Sequence, residues 1–214
     1  MTQGVRRTVS KERDLSKRAI GTKSVTTEFD FQPTLEGARV TIRPLASSDW
    51  VSMFAAAADP EIWAQHPSSD RHTERVFRQY FDDAIECGSA FAFLDRKNGR
   101  IIGSSRYHGF DPVAREVEIG WTFLSRDYWG GSYNSEIKRL MLDHAFLFVD
   151  KVVFWIGETN MRSRRATEKI GGVLRSGVHY KDLSGDSPYV IYEVRKDSLN
   201  RRMMTVEQTS NRMQ

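Results

Sequence analysis

The sequence contains little cysteine and no long apolar run. Its one cysteine, Cys87, cannot form an intrachain disulfide, and its histidines are not grouped at zinc-ligand spacing. No apolar segment reaches the ~20 residues that cross a bilayer, and the first residues lack the apolar core of a secretory signal. These absences predict a cytoplasmic protein that needs no metal and does not span a membrane.

The positive charge of the chain is concentrated at its beginning. Residues 1–24 contain seven Lys or Arg and two acidic residues, whereas the rest of the chain contains 25 basic and 26 acidic groups. Such a polar segment buries too little apolar surface to offset the entropy of ordering, which predicts a disordered basic extension over residues 1–30. Because the body is nearly neutral, nucleic acid is a disfavoured partner, although the extension leaves a nucleic-acid tether open.

From residue 34 onward the pattern predicts one α/β domain that ends near residue 195. Helical spacing alternates with short strands, and turn residues such as Lys97–Gly99 favour an antiparallel meander. Residues 196–214 indicate a short helix or a flexible tail. The expected strands are 40–43, 90–94, 101–107, 116–124, 152–156, 173–180 and 189–194, and the expected helices are 49–58, 73–87, one from Ser132, and one from Asn160 to Gly172.

The segment Tyr128–Asn134 is a glycine-centred turn between a strand and a helix. Such a junction directs main-chain N–H groups into a small concavity at the positive end of the helix, which suits a phosphate or pyrophosphate. The turn lacks both the Gly-Lys-Ser/Thr end of a nucleotide P-loop and the Gly-x-Gly-x-x-Gly pattern of a dinucleotide site. Taken alone, it is equally compatible with a glycine-rich helix start that binds no ligand.

The order of these elements and motifs resembles the GCN5-related N-acetyltransferases, within them the branch of ribosomal-protein N-terminal acetyltransferases. The resemblance covers residues 34–195 and implies a central mixed, mostly antiparallel sheet of six to seven strands, flanked by about four helices. Each motif is weak alone, but their order and spacing together are specific. They are Leu45 and Trp50 near the first helix, Glu116–Trp121 on the fourth strand, Tyr128–Gly130 at the turn, and Asn160–Ser163 leading to Glu168–Gly172.

The resemblance implies acetyl-CoA as cosubstrate, with its pyrophosphate held by main-chain N–H groups of the turn. Ser132 stands where a second glycine is usual, and Thr167 replaces a tyrosine that protonates the leaving thiolate in many relatives. Asn160 would bond the pantetheine amide, and Ser163 would contact the sulfur as a second catalytic group. Because Asn and Ser also favour helix starts, these two residues could instead cap the helix, and Asn160 could do both. The cofactor contacts implied are Trp121, Phe123, Leu124, Trp129, Gly130, Gly131, Ser132, Tyr133, Asn134, Asn160 and Ser163.

Strand alternation separates a candidate catalytic carboxylate from its apolar neighbours. On an extended strand Val117, Ile119, Trp121 and Phe123 share one face, and Glu118 lies on the other. An amine is protonated near neutral pH and must lose a proton before it attacks a thioester, so a nearby carboxylate helps. Glu118 is therefore the candidate base.

Two interpretations of Glu118 stay open. The resemblance places the base of family members at this strand position, but Glu118 could instead pair with Arg106 on the neighbouring strand. Glu116 is the second candidate. The resemblance also implies that a main-chain N–H near Ile119 or Gly120 stabilises the oxyanion, with Gly120 marking a bulge.

The expected function is acetyl transfer to a primary amine by direct attack in a ternary complex. The acceptor would contact Trp63, His66, His108 and Glu118. A protein or peptide N-terminal α-amine is favoured by the branch, and a small-molecule amine stays open because fold and cofactor do not fix the acceptor. A coenzyme A-binding module without catalysis is the competing class, and a homodimer is compatible with the sequence.

Overall fold

The computed structural model of the chain describes residues 28–180 and 188–198. The predicted disordered extension lies outside them up to residue 27, and the predicted C-terminal tail lies outside them from residue 199. No helix in the described ranges is long and apolar enough to cross a membrane.

Four α-helices and nine strands follow the predicted order within these ranges. The sheet implied by the resemblance has six to seven strands, which is too few for two reasons. A two-residue strand precedes the first expected one, and the expected strand 173–180 is two short strands, separated by a turn in which Gly177 has φ +98°. The elements are β1 (Leu35–Glu36), β2 (Val40–Pro44), α1 (Trp50–Ala57), α2 (Glu74–Glu86), β3 (Ala90–Asp95), β4 (Ile101–Asp111), β5 (Glu116–Leu124), α3 (Ser132–Ala145), β6 (Lys151–Gly157), α4 (Met161–Lys169), β7 (Val173–Leu174), β8 (His179–Tyr180) and β9 (Pro188–Arg195).

The strands form one mixed sheet in the order β1-β2-β3-β4-β5-β6-β9-β7, and β8 pairs with another part of β9. All pairings are antiparallel except that of β5 with β6. Parallel neighbours need a crossover connection, and α3 supplies it. The glycine turn therefore leaves the carboxyl end of β5 and opens the crossover helix.

Two apolar clusters lie on opposite faces of the sheet. Phe91 and Phe93 of β3 belong to a cluster that includes α3, whereas the intervening Ala92 belongs to a cluster that includes α1 and α2. Alternate residues of a strand point to opposite faces, so each face is covered by its own helices.

A bulge in β5 overturns the predicted single apolar face of this strand. Ser104 pairs with Phe123 but Arg106 pairs with Gly120, so Ser105 alone lies opposite two residues of β5. Trp121 in this bulge has φ +52°. An extra residue inverts the side-chain alternation.

The face assignments therefore change along β5. Val117 and Ile119 both lie in the α3 cluster, so these two side chains share one face of the sheet, as predicted. Trp121 and Phe123 pack instead in the α1 and α2 cluster. The prediction that all four share a face was wrong beyond Ile119.

Residues before the expected domain start also belong to the fold. Phe29 is buried, and its ring centroid lies 5.0 Å from that of Tyr107 and 5.1 Å from that of Phe148. The carbonyl oxygen of Asp30 lies 2.8 Å from Nε2 of His144 on α3. The folded domain thus begins before residue 34, because an aromatic residue in the polar segment closes the core under α3.

Lys138 of α3 has its ammonium buried between β5 and β6. Its Nζ lies 3.2 Å from Oγ1 of Thr122 and 4.5 Å from the ring centroid of Phe154. No carboxylate in residues 28–180 or 188–198 forms a salt bridge with it. Desolvation lowers the pKa of Lys138 to about 7.

This lysine should make the stability of the protein depend on pH. The unfolded chain keeps the proton up to about pH 10, whereas the folded chain releases it near pH 7. Unfolding therefore takes up a proton between these values, and the free energy of unfolding rises with pH across this window. Below the window Lys138 is protonated in both states, so the full desolvation free energy of the buried ammonium destabilises the folded state. We expect Lys138→Met to be the more stable protein at pH 6 by roughly 2–4 kcal/mol.

Urea unfolding of the wild type and Lys138→Met at pH 6 and pH 9 measures this effect. The advantage of the variant should shrink at pH 9, and Lys97→Met, which removes an exposed lysine, should behave as the wild type. An advantage that is the same at both pH values would contradict the assignment.

Candidate active site

A cleft opens where β5 and β6 separate. Their parallel pairing is limited to Glu116, Val117 and Glu118 of β5. Beyond this point β5 stays paired with β4 up to Leu124, and β6 stays paired with β9 up to Gly157. Beyond Glu118 the facing edges of β5 and β6 are not hydrogen-bonded to each other, so their main-chain groups are available to a ligand.

The glycine turn lies at the carboxyl end of β5, next to this cleft. Gly130 has φ +70°, a conformation that glycine adopts without strain, and Gly131 precedes the first residue of α3 without a side-chain cap. The first helical turn includes Ser132, Tyr133 and Asn134. Their main-chain N–H groups have no helix carbonyl one turn earlier that could accept a hydrogen bond. The turn thus offers uncapped donors at the positive end of a 14-residue helix.

Trp129 differs from its expected role as a main-chain donor. Its N–H donates to the carbonyl of Arg126 at 3.0 Å and closes the turn 126–128. Its indole Nε1 donates to the carbonyl of Leu124 at 2.7 Å, and the guanidinium of Arg162 on α4 lies 4.1 Å from its ring centroid. Trp129 therefore joins the end of β5 to α4, and its main-chain N–H is already bonded within the turn.

Asp95 at the end of β3 anchors the turn. Its two carboxylate oxygens accept hydrogen bonds from the hydroxyls of Tyr128 at 3.2 Å and Tyr133 at 2.9 Å. Burial alone would raise the pKa of Asp95, but the bonds from the N–H of Lys97 and from both tyrosines outweigh it and lower the pKa. Sequence reasoning missed this residue, because an aspartate before Lys97–Gly99 has the ordinary pattern of a hairpin turn.

Asn160 and Ser163 begin α4 near the same end of the cleft. The side-chain oxygen of Asn160 accepts from the N–H of Ser163 at 3.1 Å, which is the helix cap left open by the sequence. The N–H of Asn160 donates to the carbonyl of Gly157, so α4 follows directly from the end of β6. Thr167, which stands in place of the usual tyrosine, is buried inside the protein.

Glu118 lies at the point where the two strands separate. It is 5% exposed and pairs across the sheet with His108 of β4. A Cβ placed on Gly120 would lie 2.7 Å from its Oε1, so the carboxylate folds back over this glycine. The absence of a side chain at Gly120 therefore leaves room for the Glu118 carboxylate.

The alternative ion pair between Arg106 and Glu118 is not observed among residues 28–180 and 188–198. The guanidinium of Arg106 is directed at α2, where it donates to the carbonyls of Tyr80 at 3.3 Å and Asp83 at 3.5 Å. Glu116, the second candidate base, forms salt bridges with Arg175 and Lys151. Glu116 is therefore held in a cationic network.

Three cofactor contacts expected on β5 lie in different environments. The side chains of Phe123 and Leu124 are buried in the two apolar clusters, which leaves their main-chain groups as possible ligand contacts. Trp121 is half-buried, and its ring centroid lies 4.7 Å from the guanidinium carbon of Arg106 and 5.1 Å from the ring centroid of His108.

The expected acceptor residues are only partly brought together. His108 is exposed beside Trp121 and opposite Glu118. Trp63 is instead a core residue, since it is 2% exposed and its indole donates to the carbonyl of Ala57 at 2.8 Å. His66, three residues further on, is half-buried between Ser68 and Arg71. Trp63 therefore belongs to the core, whereas the side chain of His66 in the same segment is partly accessible.

This segment reaches both sides of the cleft, since the ring centroid of Trp63 lies 5.3 Å from that of Phe123 on β5. Pro67 packs on Gly157 at the end of β6, where an added Cβ would lie 2.9 Å from Cγ of the proline. Arg162 of α4 donates to the carbonyls of Glu61 and Ile62 at 3.2 and 2.7 Å. The cleft is therefore covered on the α1 and α2 side by residues 60–72.

Comparisons with known proteins agree with this arrangement. Residues 39–173 match the family described as the acetyltransferase (GNAT) domain. A GCN5-related N-acetyltransferase from Brucella melitensis superposes with a TM-score of 0.71 at 20% identity, over 80% of this chain and 82% of that chain. The ribosomal-protein-S5-alanine acetyltransferase from Vibrio fischeri superposes with a TM-score of 0.59 at 16% identity, over 78% of this chain and 98% of that chain.

A third structure was solved with ligands. The spermidine N-acetyltransferase from Vibrio cholerae, in complex with CoA and spermine, superposes with a TM-score of 0.58 at 15% identity, over 76% of this chain and 99% of that chain. At these identities the superpositions show a shared fold. The family match itself spans more than half of the chain, and the protein therefore belongs to the GNAT acetyltransferases, which are acetyl-CoA-dependent acyltransferases.

Proposed function

We propose that the protein transfers an acetyl group from acetyl-CoA to a primary amine by direct attack, with Glu118 as general base. The observation that carries this proposal is the position of Glu118. It is a buried carboxylate at the point where β5 and β6 part, opposite the exposed His108. An amine that enters from the His108 side reaches the carboxylate and the open strand edge together.

The acetyl-CoA supplies a thioester whose carbonyl carbon is the electrophile. Glu118 takes the proton of the ammonium, directly or through water, and the amine nitrogen then forms the new C–N bond. The C–S bond breaks when the tetrahedral intermediate collapses, and the second proton of the amine nitrogen passes to the thiolate, which leaves as coenzyme A. A main-chain N–H of β5 near Ile119 or Gly120 stabilises the oxyanion between these steps.

The cofactor is held between two helix starts in this proposal. The N–H groups from Gly130 to Asn134 bind the pyrophosphate at the positive end of α3. The hydroxyl of Ser163 contacts the sulfur, and the amide NH₂ of Asn160 remains a donor for the pantetheine, because only its oxygen caps α4. Both ends of the cofactor are thus bound by elements that leave β5 and β6.

The acceptor amine is proposed as either a protein N-terminal α-amine or a small molecule. The Vibrio fischeri and Vibrio cholerae neighbours are named for acceptors of these two kinds, a ribosomal protein and spermidine. We further propose a cytoplasmic location, in line with the single cysteine of the chain. A homodimer is compatible with this function.

A non-catalytic coenzyme A-binding module is the second candidate, and the observation that favours it is Thr167. This side chain is 2% exposed and packs under Gly172, so the usual tyrosine hydroxyl has no substitute at this position. Release of free thiol from acetyl-CoA, measured over a panel of amines and peptides, separates the two candidates. Tight coenzyme A binding with no thiol release from any acceptor would favour the module.

We expect Glu118→Gln to lower kcat by about 10²–10⁴-fold, because the amide cannot accept the proton of the ammonium. The KM for acetyl-CoA should change by less than about threefold, since Glu118 lies away from the turn that binds the pyrophosphate. Steady-state thiol release gives both constants. Glu86→Gln, which changes an exposed carboxylate on α2, is the matched control and should leave both constants unchanged. Full activity in Glu118→Gln would remove it as the base.

We expect Asp95→Asn to weaken coenzyme A binding by about 5–30-fold. The hydroxyls of Tyr128 and Tyr133 lose a charged acceptor, and hydrogen bonds to charged groups contribute roughly 1.5–3 kcal/mol each, part of which the asparagine oxygen retains. The turn then samples conformations that do not converge on the anion. Isothermal titration with coenzyme A measures the change, and Asp82→Asn on the exposed face of α2 is the control. An unchanged Kd would show that the tyrosines do not position the turn.

A further inference from the structure

Arg71 is a half-buried cation that packs against aromatic rings. It ends the loop that covers the cleft, and its guanidinium carbon lies 5.6 Å from the ring centroid of Trp63 and 5.0 Å from that of Tyr80. Within residues 28–180 and 188–198, no carboxylate forms a salt bridge with Arg71. The neighbouring Asp70 is exposed and is the weakest of its electrostatic contacts. The aromatic rings hold the guanidinium in place without neutralising it.

The hydrogen bonding of His66 decides which of its ring nitrogens carries the proton. Nδ1 lies 2.9 Å from the main-chain nitrogen of Ser68, which can only donate, so Nδ1 is an acceptor. Burial, followed by the charge of Arg71, lowers the pKa of His66 to about 3. The ring is therefore neutral at pH 7, and its one proton is on Nε2.

This tautomer leaves two donors facing each other. Nε2 of His66 lies 3.2 Å from Nη1 of Arg71. Both atoms carry N–H groups, so neither accepts a hydrogen bond from the other. Adjacent donors of this kind are stabilised by an acceptor that both can reach, and a carboxylate oxygen suits the planar guanidinium best.

The pair lies on the side of the sheet from which Glu118 is reached. Tyr80, whose ring contacts Arg71, donates through its hydroxyl to the carbonyl of Trp121 in the bulge of β5 at 2.7 Å. Trp121 in turn contacts His108, the residue opposite Glu118. A continuous run of contacts therefore leads from Arg71 to the proposed base.

Arg106 adds a second fixed positive charge to this side. Its guanidinium carbon lies 5.3 Å from the ring centroid of Tyr80, so the tyrosine ring contacts both arginines. Desolvation is the main cause that lowers the pKa of Arg71, and the charge of Arg106 acts in the same direction. The N–H groups of Arg106 already donate to α2 carbonyls, which leaves Arg71 as the arginine with donors to offer.

We propose that Arg71 and His66 bind a carboxylate of the acceptor, so that the acceptor is a small amine that carries a carboxylate, such as an amino acid. This inference rests on the proposed acetyl transfer and narrows its acceptor. The amine is placed at Glu118, and the carboxylate accepts from the charged Arg71 and the neutral His66, so the site complements a zwitterion. Polyamines and amines without an acidic group are positively charged, so Arg71 and Arg106 repel them and they bind poorly.

The first test compares acceptors that differ only in the carboxylate. Thiol release is measured with a panel of L-amino acids, their amides and the corresponding decarboxylated amines. We expect kcat/KM to be at least tenfold higher for the acids than for their amides. Arg71→Gln should bring this ratio to within about twofold, and Arg71→Lys, which keeps the charge but loses the fork, should give an intermediate ratio. Arg75→Gln, an exposed arginine on α2, should keep the wild-type ratio.

The second test measures binding without catalysis. The protein saturated with coenzyme A is titrated by calorimetry with N-acetyl amino acids and with their amides, over the same side chains. The acids should bind at least tenfold more tightly than the amides, and Arg71→Gln should lose this preference. Thermal melting of each variant shows that the loss does not come from unfolding.

The outcomes separate this inference from the proposed function. If amines and amides are acetylated as well as the acids, the inference is overturned and the acetyl transfer stands. If the acids bind preferentially and Arg71→Gln abolishes the preference, but no acceptor releases thiol, the inference stands and the acetyl transfer fails. If neither readout shows a preference for the acids, or Arg71→Gln keeps it, the carboxylate site does not exist.

Discussion

The structure depends on the early separation of β5 from β6. Parallel strands that stayed paired to their ends would satisfy each other's main-chain groups and leave no cleft. Here the pairing ends at Glu118, and each strand remains held by its other neighbour, β4 for β5 and β9 for β6. The crossover between the two strands places the start of α3 at the open end, and α4 begins directly after β6. One interruption in the sheet thereby collects two helix N-termini and a buried carboxylate.

An open strand edge is stable only if its surroundings are rigid, and two contacts provide this. Asp95 holds both tyrosines of the glycine turn against the β3–β4 hairpin. The indole N–H of Trp129 donates to the end of β5, and the guanidinium of Arg162 on α4 packs over its ring. The turn is consequently fixed from the β3 side and from the α4 side, which reduces the ordering that a bound anion would require.

Charge is divided unequally around the cleft. The α3 side contains Lys138, a buried lysine whose pKa is lowered to about 7, so this side chain is only partly charged at neutral pH. The α2 side contains Arg71 and Arg106, which stay protonated, together with Glu118. The family alone leaves the acceptor open. If Arg71 binds the acceptor carboxylate as proposed, the distribution of these charges distinguishes one amine from another.

The sequence by itself determined the order of the elements, the four helices, the glycine turn and the cap of α4 by Asn160. These depend on local rules, namely side-chain periodicity, positive φ at Gly130 and short hydrogen bonds to the next residues. Tertiary structure decided the rest. The bulge at Trp121 inverted the faces of β5, and Phe29 joined the core from a segment that composition marks as polar. Arg106 turned to α2 rather than to Glu118, and Asp95 reached two tyrosines that lie 33 and 38 residues further along the chain. Such outcomes depend on which distant groups remain unsatisfied once the sheet is assembled, and no local pattern encodes that.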